Sequence, residues 1–213
     1  MAITTTEVEP FSLPLPLYGM IRLGTLGSRD GEEFSVWIGA DQETVQKLKE
    51  KSLDESDVEI QKNTSDRKRF GEGSYEEWYS KDRTPFTLLS ADGELAALVW
   101  FGPKPLGRKS LKYLSAEEQA KELQQKEDTW HTLVYRSYAP YRGKGLMSEF
   151  VRFATDVYRE HYLSAKFWVG MSADNAGSAA LASKLGYRRR DDLYDAEKNW
   201  VAMTLEQPLA TSD

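Results

Sequence analysis

The sequence predicts an α+β protein (an α/β mixed sheet): a central, twisted, mostly antiparallel sheet with helices on both faces. Three observations carry this reading. Apolar stretches pair off around Asp30-Gly31 and Asp92-Gly93 as hairpins do. The apolar stretch Trp130 to Ser137 runs through a glycine-bearing turn into an amphipathic stretch, Lys144 to His161. A strand-like run, Phe167 to Met171, is then followed by a capped helix and two closing strands.

In order, the opening through Pro14 and Pro16 reads as extended, and Tyr18 to Leu26 and Phe34 to Gly39 read as strands. Asp41 caps a helix to about Ser52 with Val45, Leu48 and Lys49 as its inner stripe. Asp54 to Arg69 is polar and lacks periodicity, so it reads as loop or short helix. Ser74-Tyr75-Glu76-Glu77 has capping-box spacing and starts a short helix carrying Trp78 and Tyr79. Thr84 to Leu89 and Leu95 to Gly102 form a hairpin. Pro103 to Glu127 is an insertion, with a polar helix from Ser115.

The helix after Lys144 rests on spacing. Leu146, Phe150, Ala154, Val157 and His161, with Met147, Val151 and Tyr158 beside them, recur at three- and four-residue steps, while charged residues take the other side. Asp174-Asn175 caps a helix over Ala176 to Leu185 that Gly186 stops. Tyr187 to Tyr194 and Asn199 to Leu205 are the last strands. The expected organisation is an extended segment at 1–17, one domain at 18–206 with the insertion at about 103–127, and a flexible tail at 207–213.

Composition narrows the function. A chain of 213 residues with 40% hydrophobic residues can bury a sizeable core. No apolar run approaches the roughly 20 residues of a membrane helix, and the start lacks the layout of a secretory signal. A cytoplasmic protein is the expectation. The chain has no cysteine, hence no thiolate nucleophile and no disulfide, and its two histidines argue against a metal site. A net charge of −6 argues against broad binding to nucleic acid or anionic membrane and favours a cationic substrate.

The strand–turn–helix at Tyr138 to Met147 has the makings of an anion socket. The first N–H groups of a helix lack partners within it, and the macrodipole adds roughly half a positive charge there. Glycines at 143 and 145 let a phosphate reach the backbone. The turn alone is equally compatible with a plain flexible connection. It is not a nucleotide P-loop, because Gly145 is not followed by Lys-Ser/Thr, and it lacks the third glycine of the dinucleotide fingerprint.

The downstream segment decides. Strand, anion socket, helix, strand, Asn-capped helix and Gly-aromatic in that order resemble the GNAT superfamily of acyl-CoA-dependent N-acetyltransferases. Arg142-x-x-Gly145 is similar to the family's Arg/Gln-x-x-Gly-x-Gly/Ala pyrophosphate loop, and Asn175 through Lys184-Leu185-Gly186-Tyr187 is similar to its second cofactor segment. The resemblance implies a splayed parallel strand pair, at Trp130 and Phe167, and acetyl-CoA as acyl donor. It also implies that Ser137 and Tyr138 bind the pantetheine arm, that Gly143, Lys144, Gly145, Leu146 and Met147 receive the pyrophosphate with Arg142 or Lys144 adding charge, and that Asn175 and Ser178 contact the arm. Without a ligand, Arg142 and Lys144 would be surface charges and Asn175 a helix cap.

Such chemistry needs a proton acceptor, because an amine with a pKa of about 10.4 is about one part in a thousand deprotonated near pH 7. It also needs N–H donors for the oxyanion and a proton for the leaving thiolate. His131, on the strand face it shares with Leu133, Tyr135 and Ser137, is the candidate base; the other reading is a half-buried structural histidine. Glu127 and Asp128 are the fallbacks. Two positions depart from the family pattern: Met147 stands where Gly or Ala is usual, and Ala182 where many relatives carry the tyrosine acid. The expected partner is a small-molecule or peptide amine, with no membrane, nucleic acid unlooked for, and a homodimer left open. A non-catalytic acyl-CoA binder, another acyl group, or a protein N-terminus as acceptor are the alternatives.

Overall fold

Left-handed glycines close both hairpins, Gly31 at φ 87° and Gly93 at φ 82°, where a side chain would be strained. The computed structural model of the protein describes residues 2–109, 115, 117 and 129–205. Most of the helix expected from Ser115, the fallback pair Glu127-Asp128 and the tail from Gln207 lie outside the described residues. Contacts divide the chain into two compact units, Met1–Gly102 with Val134–Leu163, and Pro103–Leu133 with Ser164–Asp213.

In the first unit, β1 (Thr4–Thr5), β2 (Met20–Gly27), β3 (Glu33–Gly39), β4 (Thr84–Leu89) and β5 (Leu95–Pro103) pair antiparallel in chain order. The two-residue β1 was not legible in the opening stretch. Helix α1 (Gln42–Leu53) is capped as expected, with Asp41 accepting from the Thr44 N–H at 2.8 Å. Its buried stripe is Thr44, Leu48 and Ser52, and Lys49 faces water rather than the interior. The polar stretch after it holds α2 (Val58–Asn63), capped by Asp57, and a π-helical turn, Arg67–Gly71. Helix α3 (Tyr75–Tyr79) starts on Ser74, whose Oγ accepts from the Glu77 N–H. Strand β6 (Trp130–Ser137) ends in this unit and leads into α4 (Leu146–His161), two residues later than the spacing suggested. Helix α4 buries Leu146, Phe150, Val151, Ala154, Thr155 and Tyr158, and Tyr158 stacks on Phe101 of β5 at 4.5 Å.

A second cluster of the same unit joins Phe70, Tyr75, Trp78, Trp100 and Tyr138. A fully buried carboxylate, Asp66, lies beside it and accepts from Arg136 Nε at 2.6 Å and from Arg69 Nη1 at 2.5 Å. Both guanidiniums lie over the Trp100 ring, at 5.1 and 5.4 Å. Burial by itself would raise the Asp66 carboxyl; the charges of Arg136 and Arg69 outweigh it and hold the group below its ordinary value.

In the second unit the strand order is β6, β7 (Lys166–Ser172), β9 (Trp200–Leu205), β8 (Tyr187–Asp195). The β6–β7 pair is parallel and the other described pairings are antiparallel, so the sheet is mixed. Parallel register is recorded at Trp130↔Lys166, His131↔Phe167 and Thr132↔Trp168, and goes no further along either strand. Helix α5 (Ala176–Lys184) follows β7, and Gly186, at φ 89°, ends it. Trp168, Trp200 and Ala202 form this unit's apolar cluster, with Trp130 and Leu193 packed against it.

Replacing Asp66 with Asn should destabilise the protein by roughly 3–5 kcal/mol at pH 7, since two buried guanidiniums lose their counter-charge. The sign follows from the lowered folded-state value. The stabilisation is present above the ordinary aspartate value of about 3.9 and is lost as pH falls through the depressed folded one. Urea unfolding at pH 7 and at pH 3 should therefore show the gap between wild type and Asp66→Asn narrowing in acid.

Candidate active site

Of the five α-helices described, four begin on a side-chain cap: Asp41, Asp57, Ser74 and Asn175. Helix α4 does not. Its N-cap is Gly145, at φ 82°, with no side-chain hydrogen bond to the first turn. Gly143 is also left-handed, at φ 80°, and a Cβ built on it would meet nothing within 4 Å. The backbone before the helix is thus open where a phosphate group would approach, and the first N–H groups carry the helix's positive pole.

Tyr138 anchors the loop. Its N–H donates to the Ala96 carbonyl at 3.0 Å, its ring is fully buried, and the Tyr141 N–H returns to its carbonyl at 2.9 Å. Burial pushes the Tyr138 phenol well above its ordinary value. Ser137 is half-buried at the strand's end, and its carbonyl accepts from Arg142 Nε at 2.8 Å. The Arg142 Nη2 meanwhile pairs with Asp57, a nearly buried carboxylate whose other oxygen caps α2. Arg142 is therefore committed to bracing the loop against the strand and α2. Lys144 is also engaged, by Glu32 and by Asp30 at 3.3 Å; the Glu32 hydrogen bond is the main reason its ammonium sits above the ordinary value. Leu146 is buried and Met147 half-buried, as helix-face residues.

A third cation lies at the loop, one that no motif in the chain announces. Arg29, at the β2–β3 hairpin tip, donates its backbone N–H to the Lys144 carbonyl at 3.2 Å. Its Nε would be 2.7 Å from a Cβ on Gly145. Arg29 is exposed. Asp57 and Asp66 were likewise missed as loop and core anchors. Arg142 and Arg136 are distant from them in sequence, and only the cap before α2 and the Arg69 three residues after Asp66 are local.

In the second unit Asn175 caps α5, its Oδ1 accepting from the Ser178 N–H at 3.0 Å. Both residues are half-buried, and the Asn175 amide group keeps its Nδ2 for other use. Asp174 accepts from Asn199 Nδ2 at 2.6 Å, which ties the β7–α5 turn to the β8–β9 turn. His131 is 4% exposed, with its ring edge towards Phe167 at 6.5 Å. Ala182 is fully buried and carries no group that could transfer a proton. Tyr194 is exposed with Arg189 over its ring at 5.0 Å, and Tyr187 is buried.

The family model of an acetyltransferase (GNAT) domain matches residues 21–188. The chain belongs to the GNAT acetyltransferases and is an acyltransferase of that type. Solved structures share its fold. An acetyltransferase from Agrobacterium tumefaciens str. C58 is 13% identical, covers 95% of this chain and 99% of its own, and superposes with a TM-score of 0.56. The GNAT domain of S. lividans PAT is 15% identical over 85% of this chain and 94% of its own, with a TM-score of 0.54. RimL, a ribosomal L7/L12 alpha-N-protein acetyltransferase solved with coenzyme A, is 16% identical over 79% and 92%, with a TM-score of 0.55. No curated protein matches the chain by sequence. Among the described residues no helix is long and apolar enough to cross a membrane.

Asn175 can be tested for a role beyond its cap. Ser caps as well as Asn, whereas Asn175→Ala should cost about 1 kcal/mol of stability. If the amide also holds the cofactor, Asn175→Ser keeps the melting temperature and weakens coenzyme A by about fivefold, the worth of one hydrogen bond of about 1 kcal/mol. Unchanged affinity in the serine variant reduces Asn175 to a cap.

Proposed function

We propose that the chain transfers an acetyl group from acetyl-CoA to the primary amine of a small molecule or peptide by direct attack, without a covalent enzyme intermediate. The observation that carries this reading is the uncapped start of α4 behind two left-handed glycines, at the position the family uses for the cofactor's diphosphate. The residues fit that group: Gly143 leaves the approach open, the first-turn N–H groups have no side-chain cap, and Arg29 lies at Gly145.

In this reading the N–H groups from Gly143 to Met147 bind the diphosphate, helped by Arg29 and by what charge Lys144 retains beside Glu32. The Ser137 and Tyr138 carbonyls, which keep a second acceptor position beside Arg142 and the Tyr141 N–H, are assigned the pantetheine arm, and Asn175 and Ser178 are assigned to it as well. Arg142 acts one step back, fixing the Ser137 carbonyl and the loop to Asp57. Acetyl-CoA supplies the activated thioester. As the amide C–N bond forms the thioester C–S bond breaks, the amine gives up one proton, and the thiolate gains one. His131 is assigned the amine's proton. With Ala182 buried, water is assigned the protonation of the thiolate. The cytoplasm is part of the same reading.

Calorimetry with acetyl-CoA and with free coenzyme A should detect uptake by the wild-type chain. Gly145→Glu should abolish it, because the new side chain takes a strained φ, meets Arg29 and puts a carboxylate at the helix pole. Retained affinity in that variant would remove the socket from the mechanism. His131→Gln should lower turnover by roughly 10²–10⁴-fold, the usual worth of a general base, with coenzyme A affinity nearly unchanged. Unaltered turnover would eliminate His131 as the base.

A further inference from the structure

The first unit holds a second concavity whose chemistry the cofactor loop does not account for. A cleft of ≈ 360 Å³ is lined by Tyr18, by Val45 and Lys49 of α1, by Phe70 of the π-helical turn, and by Tyr75 and Glu76 of α3. That volume suits a small organic molecule. Four observations say which kind.

The first is an unmet hydrogen bond. Tyr75 is 5% exposed, it lines the cleft, and its hydroxyl has no hydrogen-bond partner among the described residues. Leaving such a group unsatisfied is costly, and an occupant with a polar atom would relieve it. The second is charge. Glu76 is exposed and accepts from Ser74 Oγ at 2.5 Å and from the Tyr18 hydroxyl. Those two hydrogen bonds, the Ser74 one foremost, push its carboxyl down to about 2, so it stays ionised. A carboxylate has roughly four acceptor positions, so Glu76 can take a further donor beside these two hydrogen bonds and its own backbone N–H.

The third is the aromatic wall. The Tyr18 and Tyr75 rings stack at 6.0 Å with an interplanar angle of 17°, and Phe70, whose ring already carries the Arg69 guanidinium at 5.6 Å, adds apolar surface. Aromatic faces attract cations through the ring quadrupole, more strongly where water is excluded. The fourth is backbone strain. Tyr18 is a non-glycine residue at φ 62°, an unfavourable conformation that is kept where the surroundings demand it. Here it accompanies a ring over the cleft and a hydroxyl on Glu76. Lys49 is the lining's ammonium; it is exposed, and its long stem can keep that charge in water.

We propose that this cleft binds an organic cation with a ring-bearing or apolar body, its ammonium on Glu76 and its ring against Tyr18, Phe70 and Tyr75. As the seat of the acetyl acceptor the cleft rests on the acetyltransferase reading above; as a cation site it stands alone. The aromatic cluster continues from Phe70 and Tyr75 through Trp78 and Trp100 to Tyr138, the residue after Ser137, so the cleft wall and the start of the glycine-bearing loop pack within one unit.

Three probes with one ring and different ends test this: tyramine, tyrosol and 4-hydroxyphenylacetate, titrated calorimetrically into the full chain without acetyl-CoA. Tyramine should bind about tenfold more tightly than tyrosol, about 1.4 kcal/mol, and the acid should bind weakest. Glu76→Gln, at an exposed position, should bring tyramine to the level of tyrosol. A tyramine affinity no better than that of tyrosol, no tyramine binding, or a preference that survives in Glu76→Gln would each overturn the proposal. Coenzyme A uptake is read in a separate titration. Its absence would remove the acetyltransferase reading and leave the cation site standing. Tyramine binding with coenzyme A uptake but no acetylation of tyramine would overturn the acceptor role alone.

Discussion

A helix that begins without a cap is an electrostatic commitment. Helix α4 starts at Gly145 with no side-chain cap, so its first turn presents backbone N–H groups and a positive pole. Everything around the loop keeps that end open and in place. Tyr138 is nailed to β5 through the Ala96 carbonyl, and two left-handed glycines turn the chain without bringing a Cβ to the opening. The long buried face of α4, closed by the Tyr158–Phe101 stack, anchors the helix behind that end.

The cations near that end divide their labour. Arg142 and Lys144 stand closest in sequence, yet each is paired within the protein, Arg142 with Asp57 and Lys144 with Glu32 and Asp30. An ion pair spends part of the field that a ligand phosphate would otherwise feel, so these residues shape the loop more than they charge it. Asp57 shows the economy of the arrangement, because one carboxylate caps α2 and holds the loop's arginine. Arg29 reaches the loop from a hairpin more than a hundred residues earlier in the chain, an attraction no local pattern announces.

A buried polar network of the same kind sits beneath the aromatic cluster. Asp66 serves two guanidiniums that both lie over Trp100, so the charges are desolvated by rings that themselves attract cations. This places rigid aromatic surface from Phe70 to Tyr138 in one body. The π-helical turn that carries Arg69 and Phe70 supplies both the ion pair and a wall of the cleft.

What the sequence determined by itself was everything governed by neighbours in the chain. Both hairpins appear where Asp-Gly pairs stand between apolar runs, three caps fall on Asp41, Ser74 and Asn175, and the glycine-bearing turn lies between β6 and α4 as spaced. These are local effects, readable because turns, caps and amphipathic faces depend on residues one to four apart. The α2–π-turn stretch was not legible, because Asp57 and Asp66 take their roles from arginines 85 and 70 residues away. Nor could the sequence say that Lys49 faces water, that Arg142 turns back on Ser137, or that Tyr75 keeps an unmet hydroxyl at a cleft. Tertiary structure decided those, since the pairing of a buried charge or phenol depends on which distant surfaces the packed sheet brings within hydrogen-bond reach.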